Sequence, residues 1–161
     1  MKFKKILYHS SFGTFQLISD NYYIKEIRFC KWEQVKNSHE IMEEDKIYPK
    51  VMVTAAAQLL EYLDGVRKDF TVPVLCDGTT FQKAVWDTLQ SIPYGETRSY
   101  SQIAASIGRP QAVRAVGSAC GKNPALILIP CHRVVGKDGS LTGFAAGIKL
   151  KRQLLRLEAN L

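Results

Sequence analysis

Five consecutive apolar residues, Ala125-Leu126-Ile127-Leu128-Ile129, run directly into Pro130-Cys131-His132-Arg133-Val134-Val135. A run this short, with no polar residue to face water, reads as a buried strand, and Pro130 marks the turn that follows it. The chain must wrap a core around this segment and deliver Cys131 at its end. A thiol in that position has two readings. It is a core side chain, since free cysteine is among the most buried residue types, or it is a nucleophile. The adjacent His132 favours the second: imidazole, directly or through a bound water, can accept the thiol proton, and the thiolate is the reactive species.

The sequence around this run is punctuated for short helices. Thr79-Thr80-Phe81-Gln82 carries a Thr-x-x-Gln capping pattern, followed by Phe81, Val85, Leu89 and Ile92 at helical spacing and by Pro93 as terminator. Ser99-Tyr100-Ser101-Gln102 repeats the pattern and opens a helix through Ile103, Ala104 and Ile107 to Gly108. Pro110 stands where a first helical position belongs, which predicts a helix over 111–120 stopped by Gly121. Two short helices joined by Gly108-Arg109-Pro110 form a helix-turn-helix candidate. The second is small-sided, with Ala112, Ala115, Gly117, Ser118 and Ala119, and has Arg114 as its one long central side chain. Such a face suits tight packing on another helix, and it equally suits close approach to a narrow groove. Further on, Val134-Val135 and Ser140-Leu141-Thr142 flank Gly136-Lys137-Asp138-Gly139, which predicts a hairpin or wing, and a last amphipathic helix is expected over 147–158.

The first half has a different texture. Runs at 5–9, 13–18 and 22–29 are rich in aromatic and branched residues, with turns at Gly13 and Asp20-Asn21, and read as strands of a small sheet. Residues 31–46 are polar and charged and are expected to form a loop. A helix is expected over 49–63, with Val53, Ala56, Ala57, Leu60 and Leu63 on its inner side and Gly65 as its stop, followed by an extended stretch at 69–73. Leu75-Cys76-Asp77-Gly78 is the expected boundary, giving a supporting domain over 1–77 and a second domain over 78–161.

Composition narrows the function classes. The 22 basic residues against 15 acidic give a formal charge of +7, which permits attraction to a polyanion such as nucleic acid. The cysteines at 30, 76, 120 and 131 have no CxxC spacing and no metal-ligand partners nearby, so neither a disulfide scaffold nor a zinc site is expected, and a reducing compartment fits. No apolar stretch approaches the roughly 20 residues of a membrane span. The basic start, Met1-Lys2-Phe3-Lys4-Lys5, is soon interrupted by Tyr8, His9 and Ser10, so no signal peptide is expected.

Taken together these segments resemble one family, the O6-alkylguanine-DNA alkyltransferases. Pro130-Cys131-His132-Arg133-Val134 is similar to the family's active-site signature, and Gly121-Lys122-Asn123-Pro124 and Ile127-Leu128-Ile129 precede it as they do there. Phe81-Gln82-Lys83-Ala84-Val85-Trp86, Ile92-Pro93-Tyr94-Gly95-Glu96-Thr97, Ser99-Tyr100-Ser101-Gln102-Ile103-Ala104, Arg114-Ala115-Val116-Gly117 and the closing segment 151–158 resemble successive family blocks. The likeness is close over 79–158 and looser over 1–78, where it concentrates in 57–65.

The resemblance implies an α/β fold: a small N-terminal ribonuclease H-like antiparallel sheet plus helix, and a C-terminal helical domain of winged-helix type. It implies single-turnover repair of double-stranded DNA, with an alkyl group moving from O6 of guanine, and O4 of thymine as a further target, to Cys131. It implies that His132 activates Cys131 through a water, that Glu158 orients the imidazole, that Asn123 braces the turn, and that Tyr100 donates a proton to the base. Arg114 would fill the space of the extruded nucleotide, with Ala115, Gly117, Ser118 and Tyr100 along the DNA. Pro130, Val134, Phe144, Ala145 and Ala146 would line the pocket, with backbone at Val134 and Ala145 reading the guanine. No cofactor, metal or membrane is implied, and the expected form is a monomer in the cytoplasm, or in the nucleus of a eukaryote.

Each role has a plainer rival: Tyr100 as a half-buried helix residue, Arg114 as a solvated side chain, Asn123 as a turn residue. Glu158 at a helix C-terminus is placed against the helix dipole, which hints at a purpose other than helix stability. One segment departs from the family pattern. Gly143-Phe144-Ala145-Ala146-Gly147 stands where many members carry a tyrosine followed by a bulkier or hydroxylated residue, which predicts a roomier pocket. No N-terminal metal-binding cysteine cluster is present, so a methyl-responsive transcriptional role is not expected. Two other classes remain: a non-enzymatic lesion binder of the alkyltransferase-like kind, in which the reactive cysteine is replaced, and an unrelated cysteine-histidine hydrolase, for which no acyl site is marked.

Overall fold

The computed structural model describes residues 3–30 and 47–159. The chain divides into two compact units, 1–77 and 78–161. The loop expected over 31–46 lies outside the described residues. Among those described, no helix is long and apolar enough to cross a membrane.

In the first unit, β1 (Lys4–Ser10), β2 (Gly13–Ser19) and β3 (Ile24–Cys30) form an antiparallel meander in the order β1-β2-β3. The sheet packs on one face through Ile6, Phe15, Leu17, Ile24 and Ile27, all buried, and Leu7 and Thr14 are buried beside them. Gly13 opens β2 at φ +128°, and a Cβ there would stand 2.5 Å from the Phe29 ring. Asp20 shapes the β2–β3 connection by accepting from the backbone N–H groups of Tyr22 and Tyr23. Helix α1 (Lys50–Leu63) covers the sheet through Met52, Ala55, Ala56, Leu59, Tyr62 and Leu63. The inner side expected from sequence is rotated: Val53 and Leu60 are 44% and 42% exposed. Both stripes have helical spacing, and the one bearing Met52, Leu59 and Tyr62 buries more surface.

Among its described residues the second unit holds four α-helices, α2 (Thr80–Gln90), α3 (Tyr100–Ser106), α4 (Val113–Gly121) and α5 (Ile148–Glu158). Both predicted capping boxes form, Thr79 with Gln82 and Ser99 with Gln102. Helix α4 starts at Val113 rather than at 111. The Ala112 N–H closes a turn on the Arg109 carbonyl at 2.8 Å, and the fixed φ of Pro110 serves that turn instead of a first helical position.

Two further expectations are corrected. Residues 125–129 are buried but are not a strand. The Ile129 N–H returns to the Ala125 carbonyl at 2.8 Å, closing a tight turn in which Ile127 takes φ +73°. Residues 134–142 form no hairpin ladder either: β5 (Val134–Val135) pairs in parallel with β4 (Arg98–Ser99), while the 136–139 turn is closed by the Gly136 N–H on the Ser140 carbonyl. In both places local apolar content suggested strand, and the backbone found its hydrogen bonds elsewhere.

Candidate active site

All the site residues belong to the second unit. Cys131 opens a single 3₁₀ turn, Cys131–Arg133, directly after the buried turn 125–129, and its side chain is buried. Asn123 holds this arrangement at three points. Its Nδ2 donates to the Ile129 carbonyl at 2.7 Å and to the Cys131 Sγ at 3.0 Å, while its Oδ1 accepts from the Ala125 N–H at 3.0 Å. The amide thus ties both ends of the turn to the thiol. A β-branched residue at positive φ costs on the order of 1–3 kcal/mol, so Ile127 is held by its surroundings rather than by preference.

His132 is fully buried, and its Nε2 lies 2.8 Å from the Glu158 Oε1. A carboxylate only accepts, so Nε2 carries the hydrogen and Nδ1 is the basic nitrogen. Glu158 also receives the Arg133 guanidinium through Nε and Nη2, at 2.9 and 2.9 Å for the shortest contacts, and the Gly95 N–H at 3.1 Å. Arg133 is anchored in turn through Nη1 on the Ile92 carbonyl at 2.6 Å and stands over the Tyr94 ring. This set resolves the unfavourable placement of Glu158 at the end of α5: charged and neutral donors, not the helix, hold its charge. An arginine fork, a backbone N–H and the imidazole thus converge on the Glu158 carboxylate.

Tyr100 is the first residue of α3. The Ser99–Gln102 box and the pairing of Ser99 with Val135 fix its backbone beside the segment that carries Cys131. Its hydroxyl donates to the Thr142 carbonyl at 2.9 Å. Gly143, at φ +62°, lets that loop pass, since a Cβ there would stand 2.9 Å from the Tyr100 hydroxyl.

Burial dominates the titration of the site. It pushes the Cys131 thiol up to about 11, against the lowering effects of Asn123 and Lys151. It pushes the His132 imidazole down, against the raising effect of Glu158. Burial, with the nearby Cys120, also raises Tyr100, which keeps the phenol a proton donor. The resting pair is therefore a thiol beside a neutral imidazole.

The structure brings Cys131, His132, Asn123 and Glu158 into one hydrogen-bonded cluster, with Tyr100 coupled electrostatically to Cys131. On α4, Arg114, Ala115 and Ser118 are exposed and Gly117 is half-buried, while Val116, Ala119 and Cys120 face inward. The Trp86 indole fastens that inner face by donating to the Ala119 carbonyl at 3.0 Å. Pro130, Val134 and Phe144 are buried, Ala145 is exposed and Ala146 half-buried. Sequence reasoning gave no role to Arg133, Gly95 or Lys151. The signal for Lys151 was present: a lysine interrupts the buried stripe Leu150, Leu154 and Glu158 on α5. Among the described residues no group of three or more His, Cys, Asp or Glu side chains is placed to hold a metal ion.

Comparisons with known proteins give the family. The model described as "6-O-methylguanine DNA methyltransferase, DNA binding domain" matches residues 80–160, and the one described as its "ribonuclease-like domain" matches 3–76. The chain belongs to the methylated-DNA–protein-cysteine methyltransferase family. It is 49% identical over 140 residues to the inducible methylated-DNA–protein-cysteine methyltransferase of Bacillus subtilis, covering 87% of this chain and 75% of that one. To the Methanosarcina barkeri methylated-DNA–protein-cysteine methyltransferase it is 43% identical, covering 94% of each. The Mycobacterium tuberculosis OGT solved in complex with DNA superposes with a TM-score of 0.82 at 41% identity, over 98% of this chain and 92% of that one.

Proposed function

We propose that this chain repairs DNA by direct reversal, moving an alkyl group from O6 of guanine to Cys131 in one irreversible turnover. The observation that carries the reading is the thiol itself: Cys131 Sγ stands 3.0 Å from the Asn123 amide, and the residue after it is paired to Glu158 at 2.8 Å. In the forward step the thiol proton passes through a water to Nδ1 of His132, and Glu158 steadies the imidazolium that results. The sulfur lone pair then attacks the alkyl carbon in line. The S–C bond forms as the C–O bond breaks, and the electron pair leaves on the guanine. Tyr100 gives its phenol proton to the base, exchanging its bond to the Thr142 carbonyl for one to the nucleotide. The product thioether is stable, so the molecule acts once.

A buried thiol cannot reach O6 within a stacked pair, so the nucleotide leaves the duplex at a cost of a few kcal/mol. The small residues Ala115, Gly117 and Ser118 allow α4 to approach the groove closely, and Arg114 is the side chain that takes the vacated place. The reading extends to a monomer acting on O6-alkylguanine duplexes, with O4-alkylthymine as a second substrate, in the cytoplasm or a eukaryotic nucleus. The short side chains of Ala145 and Ala146 favour larger alkyl or benzyl groups. Ala146→Trp should slow transfer of benzyl selectively, and equal rates on methyl and benzyl substrates would end that idea.

The deciding experiment is intact-protein mass after incubation with a short duplex containing O6-methylguanine, followed by peptide mapping. One added methyl on Cys131, absent in Cys131→Ser, is expected. An unchanged mass with the duplex still bound would instead describe a non-enzymatic lesion binder.

A further inference from the structure

Helix α5 has two faces of different chemistry. Leu150, Lys151, Leu154 and Glu158 are buried, while Arg152 and Arg156 are exposed one turn apart. Beside the arginines is a hollow of about 360 Å³, set between α5, β5 and the turn that follows β5. Its apolar wall is Val135, Leu141 and Leu155, all half-buried. Leu155 shares the helix face of the two arginines, so wall and charges open on the same space.

The carboxylates around this hollow are already taken. Glu96 pairs with Arg98 at 2.7 Å, and Asp138 accepts from the Ser140 N–H at 3.1 Å. Glu158 borders the hollow, but its charge is held by Arg133 at 2.9 Å and by the Gly95 N–H at 3.1 Å. Among the described residues no carboxylate pairs with Arg152 or Arg156. The helix dipole gives Arg156 a reason of its own in the last turn of α5, and it gives none to Arg152.

Wall and charges together select an occupant. Small-molecule sites are hollows of roughly 300–1,000 Å³, mostly apolar, with a few polar groups that fix orientation. A phosphodiester backbone would meet the arginines and have nothing for the apolar wall. A neutral apolar molecule would fill the wall and leave both charges unused. An acid with an aryl or branched acyl body meets both at once, its head on the guanidinium groups and its body on Val135, Leu141 and Leu155. We propose that this hollow is a binding site for a small amphipathic anion, an aryl or acyl group bearing one acidic head. Arg152, Arg156 and Leu155 have no part in the cluster around Cys131, so the site stands or falls apart from the repair reading.

The test uses the full chain and anilinonaphthalene sulfonate, whose fluorescence rises when it leaves water, with sulfonate-free phenylnaphthylamine as its neutral counterpart. One dye per chain is expected. Arg152→Glu/Arg156→Glu should bind it about tenfold more weakly, and wild type should bind the neutral dye about tenfold more weakly than the sulfonate. Both arginines are exposed, so the double variant should fold, and the comparison of the two dyes needs only wild type. Equal binding of the two dyes, or unchanged binding in the double variant, overturns the proposal. Displacement of the dye by undamaged duplex also overturns it, by giving the arginines to DNA. So does self-association that the double variant abolishes, which would put a second copy in the hollow. Charge-dependent dye binding in a chain that transfers no methyl from DNA would support the site while refuting the repair reading.

Discussion

Around Cys131 each polar group answers to another: Asn123 to a thiol, a carbonyl and an N–H, Glu158 to an imidazole, a guanidinium and a backbone amide. On α4, Arg114, Ala115 and Ser118 turn outward into solvent. The first region is over-determined by its own contacts. The second is the face that the repair reading lays against DNA. The contrast teaches how substitutions will divide. Changes in the buried cluster should move stability and chemistry together, while changes on the helix face should move repair and leave the fold alone.

The largest effect is expected at Arg133. Arg133→Met leaves the Glu158 charge buried with one cation fewer, a change that costs about 3–5 kcal/mol where such pairs are broken. Urea unfolding measures it, and a loss below about 1 kcal/mol would show that Glu158 is held without its arginine. Asn123→Ala comes next. It strips the Ala125 N–H of its partner, worth about 1–3 kcal/mol of stability, leaves the Ile129 carbonyl with the Cys131 N–H alone, and removes the hydrogen bond to the Cys131 thiol. Methyl transfer should slow by about ten- to a hundredfold, and full activity in a destabilised variant would reduce Asn123 to a turn residue.

Acid is a gentler perturbation of the same cluster. Burial lowers the His132 imidazole, so the unfolded chain takes up a proton that the folded chain refuses. Stability tied to neutral His132 is complete above the unfolded value of about 6.5 and is lost as pH falls toward the lower folded value. The melting temperature of wild type should therefore fall more steeply below that pH than that of His132→Gln. Parallel slopes would mean that some other group governs acid sensitivity.

What could be read in advance follows from how local each cause is. The capping boxes at Thr79 and Ser99 are complete within four residues, and both formed where the sequence placed them. The turn at 125–129 could not be read, because Ile127 at positive φ opposes local preference and is held by Asn123 and by the Ile129–Ala125 hydrogen bond. Arg133 and Lys151 escaped assignment for a related reason. Their partners, Glu158 and Ile92 for one, Val134 and Thr142 for the other, are distant in sequence and meet only in the folded unit. The orientation of α1 went the other way: two apolar stripes competed, and only packing chose between them.

The smallest effect on the fold should come from Arg114→Ala, and it decides the comparison most directly. An exposed helix position should change stability by no more than about 0.5 kcal/mol. The rate at which iodoacetamide modifies Cys131 should also stay as in wild type, since nothing in the buried cluster is touched. Methyl transfer from duplex DNA should fall by about ten- to a hundredfold, because the extruded nucleotide loses the side chain that fills its place and the unstacking cost of a few kcal/mol is no longer offset. The defect should shrink when the lesion is opposite a gap or in a single strand, where there is less stacking to replace. A duplex rate equal to wild type would return Arg114 to a solvated side chain. A parallel fall in the iodoacetamide rate would place it within the reach of the buried cluster and erase the division between the two regions.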